Sequence, residues 1–249
     1  MVIGFCGSGN MAAAMARGWG GEAGEMLFSD SGSGRARELA AELGGEAVGD
    51  NGVLAERSDL LVLAVKPGRL SEVAAEARGF SGAVVSLLGA TPLATVAAAF
   101  PAAGAVCRVM PNVAVEVRRG VLCLAGDAPE EVRAALAALG HLVDLPDVEF
   151  DAATAVMGCA PAYLALAVEA LADAGAAAGL DRELAGELVV ETTAGTAELL
   201  RLRHPADVRR AVASPGGSTE AGLEALDREG AGEAFAAAVR ASLERMSGS

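Results

Sequence analysis

The chain is poor in what binds polyanions: 19 Lys and Arg stand against 33 Asp and Glu, a formal net charge of −14 at pH 7. Nucleic acid and anionic membrane surfaces both require a basic footprint and are not expected partners. Histidine is scarce, and His141 and His204 lie far apart in no ligand pattern, so no metal site is expected. Cys6, Cys107, Cys123 and Cys159 show no Cys-x-x-Cys spacing and sit among small or apolar residues. They read as reduced, mostly buried thiols rather than a disulfide framework. Long hydrophobic runs are missing as well: the best candidate, residues 161–180, is interrupted by Glu169 and Asp173, and no transmembrane segment is expected. The first residues lack a basic region and are apolar in the manner of a buried strand, so no secretory leader is expected and a soluble cytoplasmic protein is. Lysine is the rarest cation. Lys66 is the only one, and in so Arg-biased a chain it suggests a local need for a compact ammonium.

What is present is an enzyme-like organisation. A chain of 249 residues can bury a large core and form two domains. Short apolar runs at 2–6, 26–28, 60–65, 83–88, 105–110 and 121–124 alternate with Ala-rich stretches at 35–43, 53–56, 69–77 and 91–99. Such alternation predicts a doubly wound, mainly parallel sheet with crossover helices, an α/β Rossmann-like domain over residues 1–150. Residues 130–139 add a helix. From Asp151 the strand pattern vanishes, and 151–249 reads as an all-α domain. There Pro161 opens a helix, Gly179 closes it, Asp181 caps a long second one and Pro205 starts a third. Its mixed small and apolar faces suit close helix packing within one chain or between two.

The N-terminal run continues Gly7-Ser8-Gly9-Asn10-Met11-Ala12, the dinucleotide fingerprint in its Gly-x-Gly-x-x-Ala form. Gly7 allows the tight turn, Gly9 lets backbone approach a pyrophosphate, and Ala12 keeps the helix close to the strand. Asp30 falls at the end of the second strand, where the ribose is read and a carboxylate favours the 2′-hydroxyl of NAD. Ser31, Ser33 and Arg35 instead suit the 2′-phosphate of NADP if Asp30 turns away. Ala64-Val65-Lys66-Pro67 places Lys66 at a strand end, where open α/β sheets bind ligands. Asn112, after Pro111, either orients a ligand or completes a turn.

In the helical half, Ser214-Pro215-Gly216-Gly217-Ser218-Thr219 forms an elbow of small residues between two helices. Pro215 stops the first, the glycines free the backbone, and Ser218 or Thr219 is expected to cap the second. Unpaired N–H groups and a positive dipole end would then suit a carboxylate.

In order and spacing these motifs, with Met110-Pro111-Asn112, Ala160-Pro161-Ala162-Tyr163 and His204-Pro205, resemble pyrroline-5-carboxylate reductases over nearly the whole chain. The resemblance implies NAD(P)H-dependent reduction of 1-pyrroline-5-carboxylate to L-proline, the last step of proline biosynthesis. Cofactor contacts are implied at Gly7, Ser8, Gly9, Asn10, Met11, Ser31, Arg35, Ala64, Val65, Lys66, Pro67 and Asn112. Substrate contacts are implied at Ser214, Gly216, Gly217, Ser218 and Thr219, with the Thr219 hydroxyl orienting the imine nitrogen in the catalytic position. A serine near position 31 matches the family's phosphate loop and gives preference to NADP(H), NAD(H) remaining the alternative. The resemblance also implies a dimer, or a larger dimer-based oligomer, formed through the helical domain, with a partner subunit near each site. Departures occur at Val113-Ala114, at Leu87-Leu88-Gly89-Ala90 and at Gly158-Cys159-Ala160. They keep two alternatives open: a same-fold reductase of another cyclic imine or carbonyl acid, and a non-catalytic NADPH-binding sensor.

Overall fold

In the computed structural model, residues 1–22 and 24–247 are described. Two compact units result, one formed by Met1–Cys159 with the C-terminal residues from Leu243, the other by Ala160–Ser242. Residues 151–159, read from the sequence as the start of the helical domain, thus belong with the sheet unit.

Eight strands form one sheet: β1 (Val2–Cys6), β2 (Glu25–Ser29), β3 (Glu46–Ala47), β4 (Leu60–Leu63), β5 (Ala83–Ser86), β6 (Ala105–Pro111), β7 (Gly120–Ala125) and β8 (Gly140–Asp144). Their order is β3-β2-β1-β4-β5-β6-β7-β8. The first six are parallel, joined by α1 (Asn10–Trp19), α2 (Arg35–Leu43), α3 (Asn51–Glu56), α4 (Leu70–Glu76) and α5 (Leu93–Ala99). β7 turns back antiparallel to β6, and β8, reached through α6 (Glu130–Ala137), runs parallel to β7. The sheet is therefore mainly parallel, as expected, with two reversed strands at one edge.

Period-two alternation divides the strand residues between two cores. Ile3, Phe5, Leu60 and Val62 face one side with Met15 and Trp19 of α1. Cys6, Leu61 and Leu63 face the other with Leu54, Leu70 and Val96. Phe5 stacks on Phe28 at 5.2 Å between ring centroids, and the Trp19 indole N–H donates to the Ala135 carbonyl at 2.6 Å. Burial of both sheet faces explains why these strands read as continuous apolar runs.

Arg108 is an exception inside β6. Only 3% exposed, it reaches Asp147 at 2.8 Å and Asp151 at 3.8 Å, with its guanidinium 4.6 Å above the Phe150 ring. It thereby ties a 3₁₀ turn (Asp147–Glu149) and α7 (Phe150–Ala153) to the sheet.

The second unit is helical, as expected: α8 (Ala160–Ala177), α9 (Arg182–Leu202), α10 (Pro205–Val212), α11 (Ser218–Arg228) and α12 (Ala231–Ser247). The Asp181 carboxylate accepts from the Glu183 and Leu184 N–H groups and caps α9. Gly179 ends the α8 segment at φ +105°, a left-handed conformation that glycine takes without penalty. His204 caps α10 ahead of Pro205, its Nδ1 accepting from the Ala206 N–H at 3.2 Å. Leu164, Leu166 and Leu171 of α8 and Leu184, Leu188 and Val190 of α9 remain exposed in the single chain.

The apolar helical stretch is longer than the 161–180 run read from the sequence. Helical structure runs on from Asp147 to Ala177, a 31-residue stretch with a window of mean hydropathy 1.7, long and apolar enough to cross a membrane by length and composition alone. The two acidic residues do not break that pattern because the apolar stretch begins well before Pro161.

Candidate functional site

β1 lies between β2 and β4, so crossovers leave it in opposite directions and open a crevice at the carboxyl ends of β1 and β4. Gly7 turns the chain there at φ +100°. A Cβ on it would stand 2.7 Å from the Ala64 carbonyl oxygen, so only glycine permits the two strand ends to approach. Gly9 precedes α1 as its N-cap and is different in kind, because a Cβ built on it meets nothing within 4 Å. Its side-chain space opens over the first turn of a ten-residue helix whose initial N–H groups have no intrahelical partner. Ser8 is nearly buried and donates its hydroxyl to the Ser29 carbonyl at 2.9 Å, leaving backbone rather than side chain to meet a ligand.

A cavity of about 380 Å³ lies over this turn. It gathers Gly7, Ser8, Gly9, Ser31, Arg35, Ala64, Val65 and Lys66 from the expected cofactor residues. Asn10 and Met11 occupy the first turn of α1, and Pro67 opens a 3₁₀ turn behind Lys66; none of these three lines the cavity. Asn112 is not there either. Its Oδ1 accepts from the Val121 N–H at 3.2 Å and its Nδ2 donates to the Met157 carbonyl at 3.3 Å, so the amide fastens the end of β6.

Asp30 lines the cavity but is engaged by its own loop. It accepts from the Ala36 N–H at 2.8 Å, the Gly32 N–H at 2.6 Å and the Ser33 hydroxyl at 3.0 Å. These donors, the Ala36 N–H foremost, hold its carboxyl below the usual carboxylate range against the opposing effect of burial.

Sequence reading missed Ser29, Asn51, Arg69 and Val73 in the lining. The Asn51 Oδ1 lies 2.5 Å from the Ser29 hydroxyl and its Nδ2 donates to Glu76 at 2.6 Å, so it bridges β2 to α4 beneath the crevice. The Asp50-Asn51 pair starting α3 was the available signal: Asp50 caps that helix through the Val53 N–H, and the next residue is thereby fixed in the first turn.

The cavity suits a dinucleotide. Open space at Gly9, the start of α1, and the Lys66 and Arg35 cations lie along one crevice, and neither cation has an ion-pair partner among the described residues. No group of three or more His, Cys, Asp or Glu that would hold a metal occurs among the described residues.

The elbow lies in the helical unit. Gly216 takes φ +72°, and the Gly217 N–H donates to the Ser214 carbonyl at 2.9 Å. Capping differs from expectation: Gly217 is the N-cap, Ser218 and Thr219 already lie within α11, and no side chain caps from the N-cap position. Glu220, third residue of the helix, reaches back instead and accepts from the Gly216 N–H at 2.6 Å. A carboxylate thus already rests on an elbow amide, while the Ser218 and Thr219 side chains stay exposed in the single chain.

Comparison with known proteins agrees with both halves. A family model described as pyrroline-5-carboxylate reductase dimerisation matches residues 147–248, and one described as NADP oxidoreductase, coenzyme F420-dependent, matches residues 2–88. The pyrroline-5-carboxylate reductase of Synechocystis is 39% identical over 206 residues, covering 79% of this chain and 77% of that protein. The structure of 1-pyrroline-5-carboxylate reductase from Streptococcus pyogenes superposes with TM-score 0.87 and 29% identity over 99% of this chain and 98% of that one. That of Plasmodium falciparum pyrroline carboxylate reductase with NADP bound gives 0.86 and 25% identity, covering 99% and 97%. With two thirds of a relative covered at well above 30% identity, and with a glycine turn and a helical elbow where such a sequence needs them, the chain belongs to the pyrroline-5-carboxylate reductase family.

Proposed function

We propose that this protein reduces 1-pyrroline-5-carboxylate to L-proline with NADP(H), the last step of proline biosynthesis. The observation that carries the reading is the crevice at Gly7 and Gly9, open to a pyrophosphate and flanked by Arg35 and Lys66, in a chain of this family. The Plasmodium relative holds NADP, and the cations at the β2 and β4 ends fit a cofactor richer in phosphate than NAD.

The sheet unit binds the cofactor. Backbone N–H groups from Ser8 to Met11 meet the pyrophosphate at the positive end of α1, and Ala64 and Val65 line the crevice opposite. When bound, the reduced nicotinamide supplies a hydride. The helical unit binds the substrate: the N–H groups of Ser218 and Thr219, which open α11 and have no intrahelical partner, receive its carboxylate, and Ser214, Gly216 and Gly217 shape the elbow around them. The Thr219 hydroxyl oxygen accepts from the protonated imine N–H and orients the ring. An alcohol is a poor acid, so the basic imine takes its proton from solvent. The C=N bond then accepts hydride at carbon while nitrogen keeps its proton, which balances the reduction to proline. The protein works in the cytoplasm as a dimer or a dimer-based oligomer.

Absorbance assays of NADPH and NADH oxidation with pyrroline-5-carboxylate, against pyrroline-2-carboxylate and the six-membered cyclic imine, test this reading. Rapid oxidation with the first substrate is expected. Thr219→Ala should cut turnover by about tenfold, the size of one lost hydrogen bond, with the NADPH dissociation constant unchanged. Oxidation only with another imine would move the substrate assignment; NADPH binding without any turnover would remove the catalytic one.

A further inference from the structure

At the end of β2, Asp30 holds the position from which a dinucleotide fold reads the adenosine ribose. A carboxylate reading a ribose diol must turn both oxygens to the ligand. Here one oxygen accepts from the Gly32 N–H and the other from the Ser33 hydroxyl and the Ala36 N–H, at 2.6, 3.0 and 2.8 Å. A carboxylate has about four acceptor positions, so little of it remains for a ligand. The loop that surrounds it is shaped for the purpose: Gly32 and Gly34 take φ +94° and +85°, with open space where a Cβ would stand, so their role is conformational. Wrapping around Asp30 brings Ser31, Ser33 and Arg35 to the cavity wall, across from Lys66. Among the described residues neither Arg35 nor Lys66 pairs with a carboxylate, in a chain of net charge −14.

We propose that Asp30 is a positioning residue for cofactor choice: it does not read the ribose hydroxyls but folds residues 31–35 into a receptor for a phosphate on that ribose. The three donors hold the ionised carboxylate turned into its own loop, and the Arg35 and Lys66 cations in the same cavity wall offset its charge toward a phosphate. This rests on the NADP(H) reading above and gives it a mechanism within the chain's own residues.

Dissociation constants for NADPH and NADH, measured by nicotinamide fluorescence on the purified full chain without substrate, test the assignment in the wild type, Asp30→Ala, Asp30→Asn and Arg35→Ala. In Asp30→Ala the NADPH constant should rise about tenfold, the cost of one charge-assisted hydrogen-bond network, while NADH shifts less than about threefold. Asp30→Asn, close in shape, should show the same direction more weakly. Arg35→Ala should lose NADPH selectively with Asp30 intact. A ribose-reading aspartate makes the opposite forecast, because its loss weakens NADH and spares or improves NADPH. That result overturns the proposal, as does equal weakening of both cofactors in variants whose circular dichroism and melting match the wild type. Should Asp30→Ala not fold, Asp30→Asn and Arg35→Ala decide alone. A wild type preferring NADH, or binding neither cofactor, refutes the NADP(H) reading itself before any variant is compared.

Discussion

Two glycines of one turn do separable work, and substitution distinguishes them. Gly7 combines φ +100° with a neighbour 2.7 Å from any Cβ, so Gly7→Ala should cost about 2 kcal/mol or more through strain and displaced backbone. Gly9 has free space, so Gly9→Val should melt within a degree or two of the wild type yet lose NADPH binding. Paired thermal melts and cofactor titrations check both, and a well-folded Gly9→Val that bound NADPH normally would remove the pyrophosphate from this turn. The thiols give a pH test. Burial pushes Cys6 and Cys107 up to about 12. The stability held by keeping them neutral is complete below about pH 9, where the unfolded chain's thiols start to ionise, and is lost as pH rises toward 12. Each thiol contributes a slope of at most about 1.4 kcal/mol per pH unit in that window. Urea unfolding under reductant at pH 8 and 10 should show a steeper fall for wild type than for Cys6→Ala/Cys107→Ala, and parallel falls would mean the thiols are not protected.

Among the elements, the turn and helix after β8 depend on a single strand residue. Arg108 binds Asp147 from inside β6, and Asp147 also accepts from the Leu93 N–H at 2.9 Å, so one carboxylate joins β6 to the start of α5. Removing a nearly buried partner strands the other's charge, and Arg108→Ala should destabilise by about 3 kcal/mol in urea unfolding. A loss below about 1 kcal/mol would show that the turn holds without it. Sequence reading does not single out Arg108, because a charged residue inside a strand gives no pattern signal for a partner 39 positions away. Other omissions have local causes. Glu46–Ala47 is too short for alternation to register, and Gly140–Asp144 pairs at the sheet edge with polar residues at both ends. By contrast, β1, β4 and β5 are legible because strands buried on both faces are apolar almost throughout. At the elbow the position of the break was legible from Pro215 and the two glycines, whereas the identity of the cap was not. Glu220 lies three residues beyond Gly217, the spacing of a capping box, and a glycine at the head of that box conceals it. The cofactor crevice was likewise half legible. Its glycines and Lys66 are local signals, while Asn51 enters only because β2, α3 and α4 converge.

For the whole molecule the decisive quantity is the apolar surface that the helical unit leaves uncovered. No residue of α8 and only Ala185 of α9 is buried in the single chain, and a shallow apolar groove between these helices is lined by Leu166, Val168 and Val190. Contiguous exposure of this kind on a soluble chain marks an association surface, and the match to a dimerisation family over 147–248 identifies the partner as a second copy. The same pairing accounts for a helix run apolar enough to pass for a membrane span: its hydrophobic side belongs against protein. Glu169 also lines the groove, so association depends on adding no further charge among Leu166, Val168 and Val190, since a carboxylate buried without a partner costs several kcal/mol. Leu166 is 65% exposed in one chain, so Leu166→Glu should leave monomer folding nearly intact while opposing association. Light scattering after size exclusion should show wild type as a dimer or a multiple of it, and Leu166→Glu shifted toward monomer. Circular dichroism should stay helical in both. A variant that remained fully associated would place the subunit contact on another face of the helices.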